Sequence, residues 1–392
     1  MPHITVKPFD SSILEQGEYG NTKVLFHARD LENSDELIGV EIKKRRFLLH
    51  IKKSKQSWLI KYDKVTRPLD VNLVKEAIDN ISKGLNLDII NSNIAINRRR
   101  AKLASDYQKS IEDFLDIEFP YRSVSIEIGF GSGRHLLHQA TSNPNELFIG
   151  IEIHTPSAEQ VLRQIELNKI NNIWIINYDA RLLLEMIQSN TISKIFVHFP
   201  VPWDKKPHRR VISTAFFKES MRVLKKGGRL ELRTDSHNYF WYSLEIFLGK
   251  DVSSSSLEIR KNSSLDVISK YEARWRGQKR DIYDLFVTSL DESEKVDLNF
   301  DFSFNNIKYR DTLLDKIDKK PLIFEDFFIH FERLYQIDSN SVLIKVSFGN
   351  FDRPEHKYIS IDSGGCCYFS HQPVKTVRNY KAHLKIGEYL HV

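Results

Sequence analysis

Between residues 123 and 290 the chain alternates short apolar runs with stretches of helical spacing. Val124, Ile126 and Ile128 alternate and lead into Phe130. Further runs follow at LFIGIEI (147–153), IWIINYD (173–179), KIFVHFP (194–200), RLELRTD (229–235) and YDLFVTSL (283–290). Between them, His135-Leu136-Leu137 opens one helical pattern. Val161, Leu162, Ile165 and Leu167 form a second stripe, and Phe216, Phe217, Met221 and Leu224 a third. Strands alternating with helices predict an α/β fold with a doubly wound, mostly parallel sheet. Thr155-Pro156 reads as a helix start, Lys226-Gly227-Gly228 as a helix stop and residues 253–256 as a polar turn.

The flanks are patterned differently. LIGVEI (37–42), FLLHI (47–51) and SWLIKY (57–62) read as strands joined by lysine-rich turns, one of them Lys43-Lys44-Arg45-Arg46. Residues 71–85 have helical spacing through Leu73, Val74, Ala77, Ile78 and Ile81, and a second helical run is expected over 101–115. Pro120 then precedes the central sheet. After it, VLIKVSF (342–348) and KYISI (357–361) are strand-like. The tail sets His371, Lys375, Arg378, Lys381, His383 and Lys385 among Tyr380 and Tyr389. Cations among aromatics suit either RNA or a solvated β surface. These breaks divide the chain into an α+β extension (1–115), a central domain (116–290) and a β-rich extension (291–392), with no internal repeat visible.

The 392 residues are 41% hydrophobic and 28% charged, with a net charge of +6. That is an ordinary globular composition with a modest leaning toward polyanionic partners. Cys366 and Cys367 are adjacent and form no disulfide framework, which fits a cytoplasmic protein. The histidines show no metal-ligand spacing; His208 and His237 read as polar loop residues. The amino terminus lacks a signal pattern, and no apolar run approaches the roughly 20 residues that span a bilayer.

Candidate chemistry gathers at the strand ends. Gly129, Gly131 and Gly133 follow the first central strand, where a sharp turn lets a ligand approach bare backbone. Ligands of such sheets sit beyond the carboxyl ends of the strands, which would collect Glu127, Glu152, Asp179 and Asp235 on one edge. An acid at Glu152 can accept hydrogen bonds from both hydroxyls of a ribose, as in NAD enzymes and in S-adenosylmethionine-dependent methyltransferases. The glycine spacing departs from G-x-G-x-x-G, and Asp179 stands where an adenine amino group would lie. Both features point away from a dehydrogenase.

With those residues in place, the chain resembles the bacterial tRNA (guanine-N7-)-methyltransferases over residues 120–290. IEIGFGSG (126–133), FIGIEIHTPS (148–157), NYDAR (177–181), HFPVPWDKKPHRR (198–210), GGRLELRTD (227–235) and SKYEARWRGQKRDIYDL (269–285) occur in that family's order. The resemblance implies a Rossmann-like class I methyltransferase core with a seven-stranded sheet, S-adenosyl-L-methionine as cofactor and tRNA as partner. It implies no metal and no membrane, and leaves monomer and homodimer both open. Carried over residue by residue, the cofactor contacts are Glu127, Gly129, Gly131, Glu152, Asp179 and Val201. Substrate contacts are Lys205, Asp235, Ser269, Glu272 and Arg274, with Ser269 where the family usually has threonine. Catalytic candidates are Asp235 and Asp204, because the family's P-D-P-W loop reads Pro200-Val201-Pro202-Trp203 here, with valine in the aspartate's place.

That loss is chemically tolerable. Guanine N7 carries a free lone pair and no proton, so its methylation is an in-line displacement that needs positioning rather than a general base. A carboxylate can still bind the guanine N1–N2 edge and stabilise the charge developing on the ring. The expected reaction is N7-methylation of a tRNA guanine, in the variable loop if the resemblance holds. The alternatives are an RNA-binding protein on a methyltransferase scaffold, or a methyltransferase for another RNA base. Glu127 either holds the glycine turn or touches the cofactor. Lys205, Lys206, Arg209 and Arg210 are expected to meet RNA, and Tyr239 and Trp241 to pack a helix.

Overall fold

The computed structural model describes residues 2–68, 70–95, 106–114, 117–249, 254–264, 266–267, 270–310, 312–351 and 353–391. Two compact units result. One is formed by residues 102–299; the other combines residues 1–101 with 300–392.

The central unit runs β1 (Gln108–Lys109), β2 (Ser123–Ile128), α1 (Arg134–Ser142), β3 (Glu146–Ile151), α2 (Thr155–Asn168), β4 (Ile173–Ile176) and α3 (Ala180–Met186). It continues with β5 (Ile192–His198), α4 (Thr214–Val223), β6 (Leu224–Thr234), α5 (His237–Phe247), β7 (Ser255–Lys261), α6 (Lys270–Gly277) and β8 (Tyr283–Ser289). The sheet order is β7-β8-β6-β5-β2-β3-β4-β1. β8 runs antiparallel to both its neighbours, and the other pairings are parallel. This is the Rossmann-like methyltransferase core, with β1 added at one edge. Successive strands move outward from β2 through β3 to β4, then resume on its other side at β5. The order therefore reverses between β2 and β5, and the glycine turn opens beside that reversal. Both faces of the middle strands are covered, so Val124, Ile126, Ile149, Ile195 and Val197 are all buried.

Three local readings change. Residues 101–105 lie outside the described residues, but the expected helix over 101–115 is replaced where described by β1 and a short 3-10 turn, Ile111–Phe114. Tyr107 accepts the Ile175 amide (2.8 Å) and Phe114 packs edge-on against Trp174, so tertiary contacts override the helical spacing. Of the polar turn expected over 253–256, residue 253 lies outside the described residues, and Ser255 and Ser256 begin β7, an edge strand with largely exposed side chains and hence no apolar alternation. Helix α4 ends at Val223 and runs straight into β6; Gly227, at φ +79°, lies within the strand.

The flanking unit is one antiparallel sheet of twelve strands built from both ends of the chain. Its seam joins Thr22–Asp30 to Phe328–Asp338 through the pairs Asp30–Tyr335 and Arg29–Gln336. On either side of the seam the same architecture is laid out. A short strand (Gly17–Tyr19 or Leu322–Ile323) pairs with the seam strand. Three meander strands follow: Glu36–Ile42, Arg45–Lys53 and Trp58–Tyr62, or Ser341–Gly349, Pro354–Ile361 and Cys366–Tyr368. Each half then closes with a helix of 14 residues, Val71–Gly84 or Val377–Leu390. The N-terminal half adds two more strands, His3–Val6 and Ile89–Ser92, beyond Trp58–Tyr62; the remaining elements repeat in the same order in both halves, which the sequence conceals.

Each helix covers its own half, Val74 and Ile78 against Ile38, Val40 and Leu49, and Ala382 and Ile386 against Val342, Ile344 and Ile359. The tail read as basic and aromatic is this second helix, with His383, Tyr380 and Tyr389 packed into its core. On the opposite face Phe26, Ala28, Leu37 and Leu48 meet Tyr335, Leu343, Tyr358 and Phe369 across the seam. Arg333 binds Asp30 (3.0 Å), and the Tyr358 hydroxyl donates to Asp63 (3.1 Å).

A chain ending at residue 299 should therefore expose Phe26, Ala28, Leu37 and Leu48. It should bind a hydrophobic dye and lose the N-terminal half's cooperative thermal transition. An unchanged transition without dye binding would contradict the shared sheet.

Candidate active site

β2 delivers Glu127 and the glycine turn to the carboxyl edge. Gly129 sits at φ +70°, and a Cβ there would meet nothing within 4 Å, so its backbone faces open space. Gly133 has the same φ sign but a different reason: its Cβ would lie 2.3 Å from Val161 Cγ2, where α2 packs on the turn. Gly131, at φ +53°, donates its amide to Glu152 Oε2 (3.0 Å), and the His154 amide donates to Glu152 Oε1 (2.9 Å). The ribose candidate is thus tied to the glycine turn. Behind it, Asn177 donates to the Glu152 carbonyl (2.6 Å) and accepts from Thr155 Oγ1 (2.9 Å). Asp179 caps α3 and holds Arg181 through Nε (3.1 Å) and a terminal nitrogen (3.0 Å). Burial raises the Asp179 pKa, and Arg181 opposes that shift.

The loop after β5 is strained and anchored. Phe199 (φ +50°) and Trp203 (φ +45°) are bulky residues in the left-handed region, which L side chains rarely adopt. Arg210, expected to meet RNA, instead points inward. It is 8% exposed, donates to the Pro202 carbonyl (2.7 Å), pairs with Asp204 (3.2 Å) and stacks on Tyr242. Asp204 is accordingly a loop anchor whose side chain remains half in solvent. Val201 and Lys205 are exposed, and Arg209 lies over the Trp203 ring.

Across the edge, Asp235 at the end of β6 pairs with Arg280 (2.8 Å). The Arg280 guanidinium covers one Trp275 contact at 4.2 Å, and exposed Arg274 another at 5.1 Å. Glu272, expected at the guanine edge, is 1% exposed and bound by Arg233 (2.7 Å) and Arg276 (2.8 Å). It supports the site from beneath rather than facing it. Arg233, 2% exposed, also reaches Asp284 (2.5 Å). Ser269 lies outside the described residues. Tyr239 packs as expected, its hydroxyl accepting the Ile212 amide (3.2 Å), whereas Trp241 is half exposed and donates to His237 (2.9 Å). His237 begins α5 rather than lying in a loop.

Sequence reasoning passed over His135 and His198. Their rings stand 4.5 Å apart, His135 in the first turn of α1 and His198 at the end of β5. Burial disfavours a charge on His135, but the Glu127 carboxylate 2.8 Å away outweighs it and holds the pKa above the ordinary value. Burial, with His135 and Arg233 nearby, pushes His198 well below it. His135 follows the glycine turn and His198 opens the 198–210 motif; no spacing rule signals a pair made by a helix start and a strand end 63 residues apart.

Two outcomes follow. His135 contributes stability that is complete below the ordinary value of 6.5 and is lost as pH rises through its folded pKa. His198 does the reverse, its contribution falling away as pH drops below 6.5. Urea midpoints from pH 5 to 8.5 should show the deficit of His135→Gln narrowing as pH rises, and His198→Asn flattening the acid-side loss. Separately, Gly133→Ala should cost about 3 kcal/mol through strain and the Val161 clash, and Gly129→Ala about 1 kcal/mol through strain alone, both read by thermal denaturation.

Among the described residues no group of three or more His, Cys, Asp or Glu is placed to hold a metal, and no helix is long and apolar enough to cross a membrane. A family model described as "Putative methyltransferase" matches residues 121–285. Over 364 residues the chain is 42% identical to a Wolinella succinogenes protein named tRNA (guanine-N(7)-)-methyltransferase, covering 92% of each. A Campylobacter fetus protein of that name is 40% identical over 363 residues, 91% of each. A Helicobacter pylori protein of that name is 39% identical over 399 residues, covering 100% of this chain and 98% of its own. The likeness thus extends through the flanking unit as well as the methyltransferase core, and this chain belongs to the tRNA (guanine-N(7)-)-methyltransferase family.

Proposed function

We propose that this chain methylates N7 of a guanine in tRNA, with the cofactor at the glycine turn and the base between the 199–204 loop and Asp235. The observation that carries this reading is the union of an open glycine turn with Glu152. Gly129 leaves space that a Cβ would enter, and Glu152 stands beside it with both oxygens oriented by backbone amides. A carboxylate so held keeps lone pairs for a ribose diol. Asp179 offers the next acceptor along the edge and shares it with Arg181. These residues fit S-adenosylmethionine, which supplies an electrophilic sulfonium methyl when bound.

The protein's part is placement. Arg210 and Asp204 brace the loop over the site, and Val201 contributes an apolar surface where a carboxylate would have needed a partner. Because N7 has no proton to lose, no residue acts as general base. Asp235, aimed at the edge by Arg280, accepts from the guanine N1–N2 donors and compensates the charge that grows on the ring. Lys205 and Arg274 lie exposed for phosphate contacts.

Purified protein given labelled S-adenosylmethionine and unmodified tRNA should place label in N7-methylguanosine. Label in another nucleoside would change the substrate, and cofactor binding without transfer would favour a purely RNA-binding role. Glu152→Gln should weaken cofactor binding about tenfold by calorimetry, the worth of one charge-assisted hydrogen bond. Val201→Ala should keep kcat within about threefold of wild type, whereas Asp235→Asn should lower it at least tenfold, as expected if positioning rather than base catalysis carries the rate.

A further inference from the structure

The two halves of the flanking sheet share an architecture but not a charge pattern. In the C-terminal half the cations are largely neutralised. Lys345 pairs with Glu332, Lys357 with Glu355, Lys381 with Asp326 and Lys385 with Glu388. In the N-terminal half Lys44, Arg45, Lys52, Lys55 and Lys64 are without an ion pair among the described residues.

The turn that carries this charge is strained. Lys43 (φ +50°) and Lys44 (φ +61°) form the two-residue connection between Glu36–Ile42 and Arg45–Lys53, closed by the pair Ile42–Arg45. Two positive φ angles make a turn that strongly prefers Asn-Gly, because each L side chain there is strained. The matching connection in the other half, residues 350–353, follows a glycine that takes its positive φ freely, Gly349 at +93°. Two successive lysines therefore occupy a tip whose backbone disfavours them. Strain of this kind collects where a side chain has work to do.

From that tip the charge continues along one face. Arg46, His50 and Lys52 alternate with Phe47, Leu49 and Ile51, which face the helix, so they share the helix-free side. Arg46 is paired with Glu41, and His50, its pKa lowered by burial, lies against Asp35, which leaves Lys52 as the charge of this strand face without an ion pair among the described residues. Lys61 sits opposite His50 on the next strand, and Lys64 follows in the loop. Burial first, and then Lys52 and Lys64, push the Lys61 pKa down against Asp35 and Asp63. From Lys44 to Lys52 the row is about 25 Å long, enough to meet several successive phosphates.

We propose that this face, from the Lys43-Lys44 tip through Lys52, Lys61 and Lys64, binds the phosphate backbone of the tRNA substrate. The proposal rests on the enzymatic reading above for the identity of its partner. A strand face of unpaired lysines reads backbone rather than sequence, so it raises affinity for every tRNA and selects none.

The test is tRNA binding by the full-length protein as a function of salt. The variant Lys44→Ser/Lys52→Ser/Lys61→Ser/Lys64→Ser should weaken affinity at least tenfold at 0.1 M salt. It should make the log–log salt slope shallower by about 3 and leave cofactor binding unchanged. The variant Lys43→Asn/Lys44→Gly guards against misfolding. It relieves the turn, so its Tm should rise by about 4 °C while its tRNA affinity falls. Lys381→Ser/Lys385→Ser in the other half should change neither affinity nor slope; an equal loss there would overturn the assignment to the N-terminal half. Wild-type affinity and slope in the four-lysine variant would overturn the surface while leaving methylation standing. Salt-dependent binding through this face with no methyl transfer by wild type would overturn the enzymatic reading and support the surface.

Discussion

A guanidinium removed from water must find anions on the spot, and Arg233 is 2% exposed. Its side chain gathers Glu272 from α6 and Asp284 from β8, while its backbone carbonyl accepts the Phe199 amide at 2.7 Å. One residue thus joins β6, α6 and β8 to the start of the β5 loop. The loop's other end is held by Arg210, buried between Tyr242 and the Pro202 carbonyl. Two buried arginines, each satisfied by partners from different elements, keep a strained loop in place. Removing either would leave buried partners uncompensated, which costs more than the pair itself contributes.

This arrangement explains how the family's aspartate position can be valine. A carboxylate at 201 would sit near the same strand ends as Asp179, Glu152 and Asp235, adding repulsion to an edge already rich in acids. The loop does not need it for shape, since Asp204 with Arg210 provides the internal tie. Nor would the proposed reaction need it for proton removal. Valine is compatible with the chemistry as long as orientation comes from elsewhere.

The core was legible in sequence because two-sided burial writes itself as unbroken apolar runs such as LFIGI, and glycines at positive φ announce the turn. The positions of Glu152 and Asp235 at the strand ends were legible for the same reason: they follow those runs. Glu272 and Arg210 were misjudged because charge alone does not say which way a side chain points; Arg233 and Tyr242 decide that from distant segments. β7 was missed since an edge strand has no buried stripe to show. The flanking repeat was invisible because its two copies preserve burial alternation and helix length while their residue identities differ. Pairing between residues 29–30 and 335–336 leaves no local signature at all.

The methyltransferase unit is inserted between the two halves of one sheet, and this orders events during synthesis. The seam strand Thr22–Asp30 leaves the ribosome some 300 residues before its partner Phe328–Asp338. At about 5–20 residues per second that is a delay of about 15–60 s. The methyltransferase core has time to fold within it. Through that interval one side of the seam strand is an unpaired edge, open to any other nascent chain, and charges such as Lys23, Arg29 and Asp30 are of the kind that discourages edge pairing until the far end of the polypeptide arrives.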